Sequence, residues 1–208
     1  MTTPRQRLKP DERRAAMLAE AGAVLLQDGI GALTLRHLAQ RLGVAPGLVN
    51  HYFPEIEALG AQAFAAIAEG EVADLFGAAM AEPTPSARIA RLITDLLEPD
   101  RRGVSLLWLD AWQASRNRLA LRAAVIAAMD LWQDRLSALI EQGAAAGAFA
   151  TPDPAAAATR ILALIDGLSI QAVIDDPDAA SHAILRGMVI AGVERELGIT
   201  LELAAGDR

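Results

Sequence analysis

The chain has 208 residues, of which 53% are apolar and none is cysteine, and its net charge at neutral pH is −7. Without cysteine it can form neither a disulfide, nor a thiolate nucleophile, nor a cysteine-based zinc site, and such a composition fits the cytoplasm. No apolar run approaches the roughly 18 residues that a membrane-spanning helix needs, and the opening MTTPRQRLKPDERR lacks the apolar segment of a signal peptide.

The chain starts with a basic segment, residues 1–9, that is followed by a first predicted helix. The segment could follow phosphate groups or could be a solvated tail. Asp11 can cap a helix that continues to about Gln27, and Asp28-Gly29 should end it. We expect this helix to support the next two, because short helices alone bury too little surface to fold.

Residues 33–53 have the pattern of two short helices separated by a tight turn. Thr34 can cap the first of them, and Gly43 can end it in a conformation that a residue with a Cβ resists. Pro46 suits the first turn of the second helix, where its missing N–H costs nothing. The segment is therefore interpreted as a helix-turn-helix, whose second helix enters the DNA major groove.

The local charge strengthens this interpretation, because a helix–glycine–helix step alone occurs in many all-α proteins. Residues 36–53 contain no acidic side chain, which phosphate would repel. Residues 1–54 contain seven bases and four acids, so they carry +3 and leave −10 for the remainder. The predicted DNA-binding residues are Thr34, Arg36, Arg41, Pro46, Gly47, Leu48, Asn50, His51 and Tyr52. Asn50 would read a base edge and Tyr52 would contact phosphate.

The remainder of the chain predicts helices only, because it contains neither alternating apolar runs nor hairpin dipeptides. A long helix begins near Pro54 and continues to about Ala81, and as a continuous element it could transmit tilt between the basic and acidic parts. Thr84 or Ser86 can cap the next helix. Further helices are predicted at 86–98, 102–115, 119–143, 154–174 and 178–197, with Gly143 and Gly147 closing the third of these.

The last two predicted helices differ from the others in kind. Residues 187–193 contain no polar side chain, although a surface helix should have a polar face. We expect the two helices to pair with those of a second copy in a four-helix dimer interface, which Gly167, Gly187 and Gly192 would allow to pack closely. The alternative is a monomer with a thick core. The predicted interface residues are Ile161, Ile165, Leu168, Ile184, Met188, Val189 and Val193.

All three tryptophans lie on two neighbouring predicted helices and could line a small-molecule pocket. Core packing is the commoner role for such residues. With Asp110 or Asp130 the indoles could enclose an organic cation through cation–π attraction, although Asp110 falls on a different helix face from its neighbouring tryptophans. The predicted ligand-binding residues, for a small apolar or cationic effector, are Trp108, Trp112, Met129, Trp132 and Gln133.

A family resemblance follows from these residues. The chain resembles the TetR family of bacterial repressors in the run Thr34…Leu38-Ala39…Leu42-Gly43-Val44-Ala45-Pro46-Gly47…Tyr52-Phe53…Leu59. Beyond it, the chain is similar above all to the choline-responsive, BetI-type branch, in Trp108-Leu109-Asp110-Ala111-Trp112, Asp153-Pro154, and Asp166-Gly167-Leu168 followed by Gln171. Three positions depart from the family pattern. Ala45 replaces a capping Ser or Thr, Asn50 replaces a common Tyr, and Ile56 replaces a Lys that touches phosphate.

The resemblance implies an all-α protein with a three-helix helix-turn-helix domain, residues 1–54, joined by a long helix to an effector-binding and dimerisation domain, residues 55–208. It implies a cytoplasmic, homodimeric repressor that leaves a palindromic operator when an effector shifts the population of dimer states. The two recognition helices would then lie one DNA turn, about 34–36 Å, or slightly more apart.

Two other functions were considered. One is an all-helical enzyme, but the three histidines form no recognisable triad or metal-ligand spacing, so we expect no enzyme, cofactor or metal site. The other is a small-molecule carrier without specific DNA binding, which Ala45 and Ile56 make conceivable. Salt-dependent DNA binding separates a repressor from both alternatives.

Overall fold

A computed structural model describes residues 9–98, 101–174 and 180–201. Within them the chain forms nine α-helices, one short 3-10 helix and no strand, which confirms the predicted all-α class. The helices are α1 Pro10–Asp28, α2 Leu35–Leu42, α3 Pro46–Tyr52, α4 Ile56–Met80, α5 Pro85–Leu96, α6 Arg102–Ser115, α7 Leu119–Ala145, α8 Pro154–Ile174 and α9 Ala180–Leu197. All but the first residue of the predicted basic segment 1–9 lies outside the described residues.

The chain divides into two compact units. The N-terminal unit contains the described residues up to Ile67 together with Asp110–Val125, and the C-terminal unit contains Ala68–Leu109 and the described residues from Ile126 onward. Helices α4, α6 and α7 therefore contribute residues to both units. None of the helices in the described ranges is long and apolar enough to span a membrane.

The helix-turn-helix forms as predicted, for the predicted reasons. The Thr34 hydroxyl accepts the His37 backbone N–H at 3.1 Å and caps α2. Gly43 adopts the left-handed conformation at φ 62°, and two backbone bonds close the turn, Val44 N to Ala39 O at 3.0 Å and Gly43 N to Gln40 O at 3.1 Å. This is a Schellman motif, which uses the carbonyls that a helix end leaves free. Helix α2 packs against both α1 and α3.

Several predicted boundaries are corrected. Helix α1 begins at Pro10 and not at Asp11, and the Glu12 carboxylate accepts the Lys9 backbone N–H at 2.8 Å. Helix α4 begins two residues after Pro54. Helix α7 continues through Gly143, whose missing Cβ makes room for the Phe149 ring against it.

The C-terminal unit has a core of large apolar side chains from α4, α5, α7, α8 and α9. Helices α8 and α9 pack on each other, and the Arg160 guanidinium lies 2.6 Å from the Glu196 carboxylate between them. Thr84, one of the two predicted caps, accepts the Ala87 N–H at 3.2 Å at the start of α5. The Arg186 side chain donates to the Leu97 carbonyl at the other end of that helix.

Candidate functional site

Helix α3 has one buried face and one exposed face. Val49 is completely buried and anchors the helix to the N-terminal unit. Pro46, Gly47, Asn50 and His51 are exposed, and an added Cβ at Gly47 would meet nothing within 4 Å. These residues form a short acid-free surface that another molecule can approach closely, as a recognition helix requires.

The outer residues of α3 are held in place from behind. The rings of His51 and the partly buried Tyr52 meet edge to face at 5.5 Å between centroids. Phe53 is buried, and the Arg14 guanidinium lies 4.8 Å from its ring centroid. Arg14 also donates to the Gln62 side chain at 2.9 Å. The end of α3 is thereby fixed to α1 and α4.

The basic residues of α2 have different surroundings. Arg41 Nε lies 2.6 Å from Glu20 Oε1, and its Nη1 lies 3.2 Å from Asp28 Oδ2. Arg36 is exposed and forms no ion pair with the described residues. His37 shares the Asp28 carboxylate at 3.2 Å. The sequence run without acids therefore meets two carboxylates of α1 in space, and Arg36 is the cation of α2 that remains available to phosphate.

The predicted ligand-binding residues do not form one continuous group. Trp112 belongs to the N-terminal unit, and the other four residues belong to the C-terminal unit. Trp132 is buried, with its ring 5.6 Å from that of Phe76, while Met129 is 47% exposed. Gln133 donates to the Ala155 carbonyl at 2.8 Å, so its amide already links α7 to α8.

Trp108 leads to a polar cluster that the sequence analysis missed. Its indole N–H donates to Glu71 Oε2 at 3.0 Å, and the Arg101 guanidinium pairs with the other oxygen of that carboxylate. The Glu71 side chain is only 7% exposed. The available signal was its position, because Glu71 lies on the buried stripe of α4 with Ala68 and Leu75, and a charge on such a stripe needs a partner.

Asp166 on α8 adds a second carboxylate to this cluster. Partial burial raises its pKa to about 6, and the nearby charge of Glu71 acts in the same direction. Among the described residues it takes part in no hydrogen bond and no ion pair. Of the carboxylates considered from the sequence, Asp130 is exposed on α7, and Asp110 lies beside Gly29 in the N-terminal unit.

The remaining candidate sites are small. A pocket of about 100 Å³ in the N-terminal unit lies between the start of α4, the 3-10 helix and the start of α7, and Ile56 is among its lining residues. It is below the size of ordinary small-molecule sites. No group of three or more potential metal ligands occurs in the described ranges.

Comparisons with known proteins were made for the chain. A family described as "Bacterial regulatory proteins, tetR family" matches residues 17–63, and one described as "BetI-type transcriptional repressor, C-terminal" matches residues 85–198. No curated protein matches the chain significantly.

Many solved structures have a similar fold. A putative transcriptional regulator from Pseudomonas aeruginosa PAO1 is 25% identical with a TM-score of 0.74, over 91% of this chain and 92% of that one. A putative transcriptional regulator from Saccharomonospora viridis in complex with choline is 24% identical with a TM-score of 0.74, over 90% of this chain and 98% of that one. A putative TetR-family regulator from Rhodococcus is 23% identical with a TM-score of 0.74, over 90% and 99%.

Proposed function

The chain belongs to the TetR family of bacterial transcriptional regulators, with a C-terminal domain of BetI type, and we propose that it is a homodimeric repressor released from a palindromic operator by a small effector. The observation that carries this proposal is the exposed, acid-free face of α3 on a well-formed helix-turn-helix. The proposed DNA-binding domain is residues 1–54, and the effector and dimerisation domain is residues 55–208. The repressor would act in the cytoplasm, on the chromosome.

DNA recognition is assigned mainly to α3 and α2. Asn50 lies on the exposed face of α3, where an amide can pair with a base edge in the major groove. Arg36 and Tyr52 would contact phosphates and set the register of the protein on the duplex. Arg41 is already shared between two carboxylates, so we assign it a smaller part in phosphate binding than the sequence suggests.

Dimerisation is assigned to α8 and α9. Ile184 and Met188 are 65% and 57% exposed in the single chain, and Gly187 beside them would leave open space for a close neighbour. Water contact by such a surface is costly, and a second copy would cover it. Ile161 and Val193 are fully buried within the single chain, so they would shape the interface from beneath rather than touch the partner.

The effector is proposed to be a small organic cation that binds in the C-terminal unit near Glu71, Trp108 and Asp166. Two carboxylates there face one guanidinium, and an indole lies beside them. The similar structure from Saccharomonospora viridis contains choline, which is a cation of this class. A cation that binds one dimer state more tightly would shift the population of dimers away from the DNA-bound state.

The proposal is tested by recovering the preferred duplex from a random DNA pool and measuring its affinity for the purified protein at several salt concentrations. We expect a palindromic site and an affinity that falls steeply with salt, as phosphate contacts require. A carrier without DNA binding is the alternative that Ala45 favours, because this residue stands at the start of α3 and offers no side-chain cap. Indifference to all duplexes at low salt would favour that alternative.

A further inference from the structure

The charges of the polar cluster in the C-terminal unit do not cancel. Glu71 is neutralised by Arg101, and its second oxygen accepts the Trp108 indole N–H. Asp166 lies near enough to Glu71 for the two carboxylates to repel each other, and no described residue neutralises it. The cluster therefore carries one uncompensated negative charge when Asp166 is ionised.

A partly buried carboxylate without a counter-ion is unfavourable, and it can be relieved in two ways. Asp166 can take up a proton, and both the burial and the repulsion from Glu71 favour this by raising its pKa to about 6. Alternatively, a ligand can bring a positive charge to the carboxylate. The two remedies exclude each other, because a protonated Asp166 offers no charge to attract a cation.

We propose that a proton and the cationic effector compete for Asp166, so that the cluster binds one organic monocation and its response to that effector weakens on acidification. This inference rests on the effector-binding part of the proposed function. Glu71 and Arg101 are the other charged groups of the cluster, and they neutralise each other. The charge count therefore changes at Asp166 alone.

The same count sets the class of ligand. One unpaired carboxylate matches a single positive charge, whereas a divalent metal ion prefers six or more oxygen ligands. The described residues contain no group of three or more potential metal ligands. An ammonium group would meet the Asp166 carboxylate while the Arg101 pair with Glu71 stays intact.

The test is calorimetric titration of the full-length protein with choline at pH 7.5 and at pH 5. One competing proton at a group with a pKa near 6 predicts binding about tenfold weaker at pH 5. In two buffers of different ionisation enthalpy at pH 6, we expect roughly half a proton to be released for each choline bound. The neutral isostere, in which a tert-butyl group replaces the trimethylammonium group, should bind weakly and equally at both pH values.

Asp166→Asn should bind choline at least about tenfold more weakly at pH 7.5 and show no pH dependence. Asp134→Asn is the matched control, because it removes an exposed carboxylate of α7 in the same unit, and it should behave as the wild type. The proposal is overturned if choline does not bind at pH 7.5, if the wild type binds it equally at both pH values, or if Asp166→Asn keeps the wild-type slope. Operator binding measured on the same samples tests the repressor function separately.

Discussion

The two units of the chain handle their functional charges in opposite ways. In the N-terminal unit, surplus positive charge stays on the surface, where Arg36 is exposed and Arg41 is balanced by Glu20 and Asp28. In the C-terminal unit, surplus negative charge is partly buried at Asp166. Surface charge suits a large, salt-sensitive polyanion, and a partly buried charge suits one small counter-ion that leaves water to meet it. The position of an unpaired charge thus indicates the size of its partner.

The largest expected effect compares the ion pairs of the two units. Glu71→Gln leaves the Arg101 guanidinium without its carboxylate in a mostly buried place, and should lower the free energy of unfolding by about 2–4 kcal/mol. Glu20→Gln breaks a more exposed pair with Arg41 and should cost about 1 kcal/mol or less. Urea denaturation of both variants measures the difference. Equal losses would show that the two pairs are not buried to different degrees.

The next prediction sharpens the assignment of the DNA-binding face. Asn50→Ala should weaken binding to the preferred operator by about 1–3 kcal/mol and leave binding to random duplex unchanged, because a base contact carries sequence information and a phosphate contact does not. Fluorescence anisotropy with both duplexes gives the two affinities. Gln40→Ala, at an exposed residue of α2 outside the proposed DNA-contact set, is the control. Equal losses on both duplexes would refute a base-reading role for Asn50.

A stability measurement tests the charge of the C-terminal unit without any ligand. Because burial raises the pKa of Asp166 from 3.8 to about 6, the folded state keeps its proton while the unfolded state loses it, and wild-type stability falls as the pH rises between these values. Above pH 6 the cost is fully present. Allowing for partial solvent screening, Asp166→Asn should be more stable than the wild type by about 1 kcal/mol at pH 7.5.

That gain should vanish below pH 4, where the carboxyl is protonated in both states. Thermal unfolding of the two proteins at several pH values measures it, and Asp134→Asn again provides the control. A difference between wild type and Asp166→Asn that is independent of pH would show that the substitution acts through packing and not through charge.

The smallest expected effect concerns a single phosphate contact. Arg36→Ala should reduce the slope of log affinity against log salt by about one and weaken all duplexes equally, by about 1 kcal/mol or less. Arg41→Ala is the comparison at the balanced cation, and its slope should change less because Glu20 and Asp28 already share that charge. A larger change for Arg41→Ala would reverse the assignment of the free cation.

Local sequence signals were enough for the fold. The cap at Thr34, the left-handed Gly43 and the proline at the start of α3 are properties of neighbouring residues, and all three were predicted correctly. The end of α7 was predicted too early because Gly143 reads locally as a stop. Its actual use is to admit the Phe149 ring, which is a contact made only after the chain folds back.

The candidate sites depend more on contacts distant in sequence. The pairing of Arg41 with α1 joins residues 21 positions apart, and the bond from Trp108 to Glu71 joins residues 37 apart. No local pattern specifies such pairs. The sequence directed attention to Trp108 through its aromatic spacing and to Asp166 through the BetI-type motif, but the carboxylate that joins them, Glu71, was visible only as a charge on an apolar stripe.

One measurement tests the central claim most directly: the affinity of the purified protein for its selected palindromic duplex, by fluorescence anisotropy at pH 7.5, with and without choline. The account predicts binding of one dimer per palindrome that weakens steeply with salt and is released by choline but not by its neutral isostere. A protein that remains a single subunit, or that prefers no duplex even in dilute salt, would contradict it.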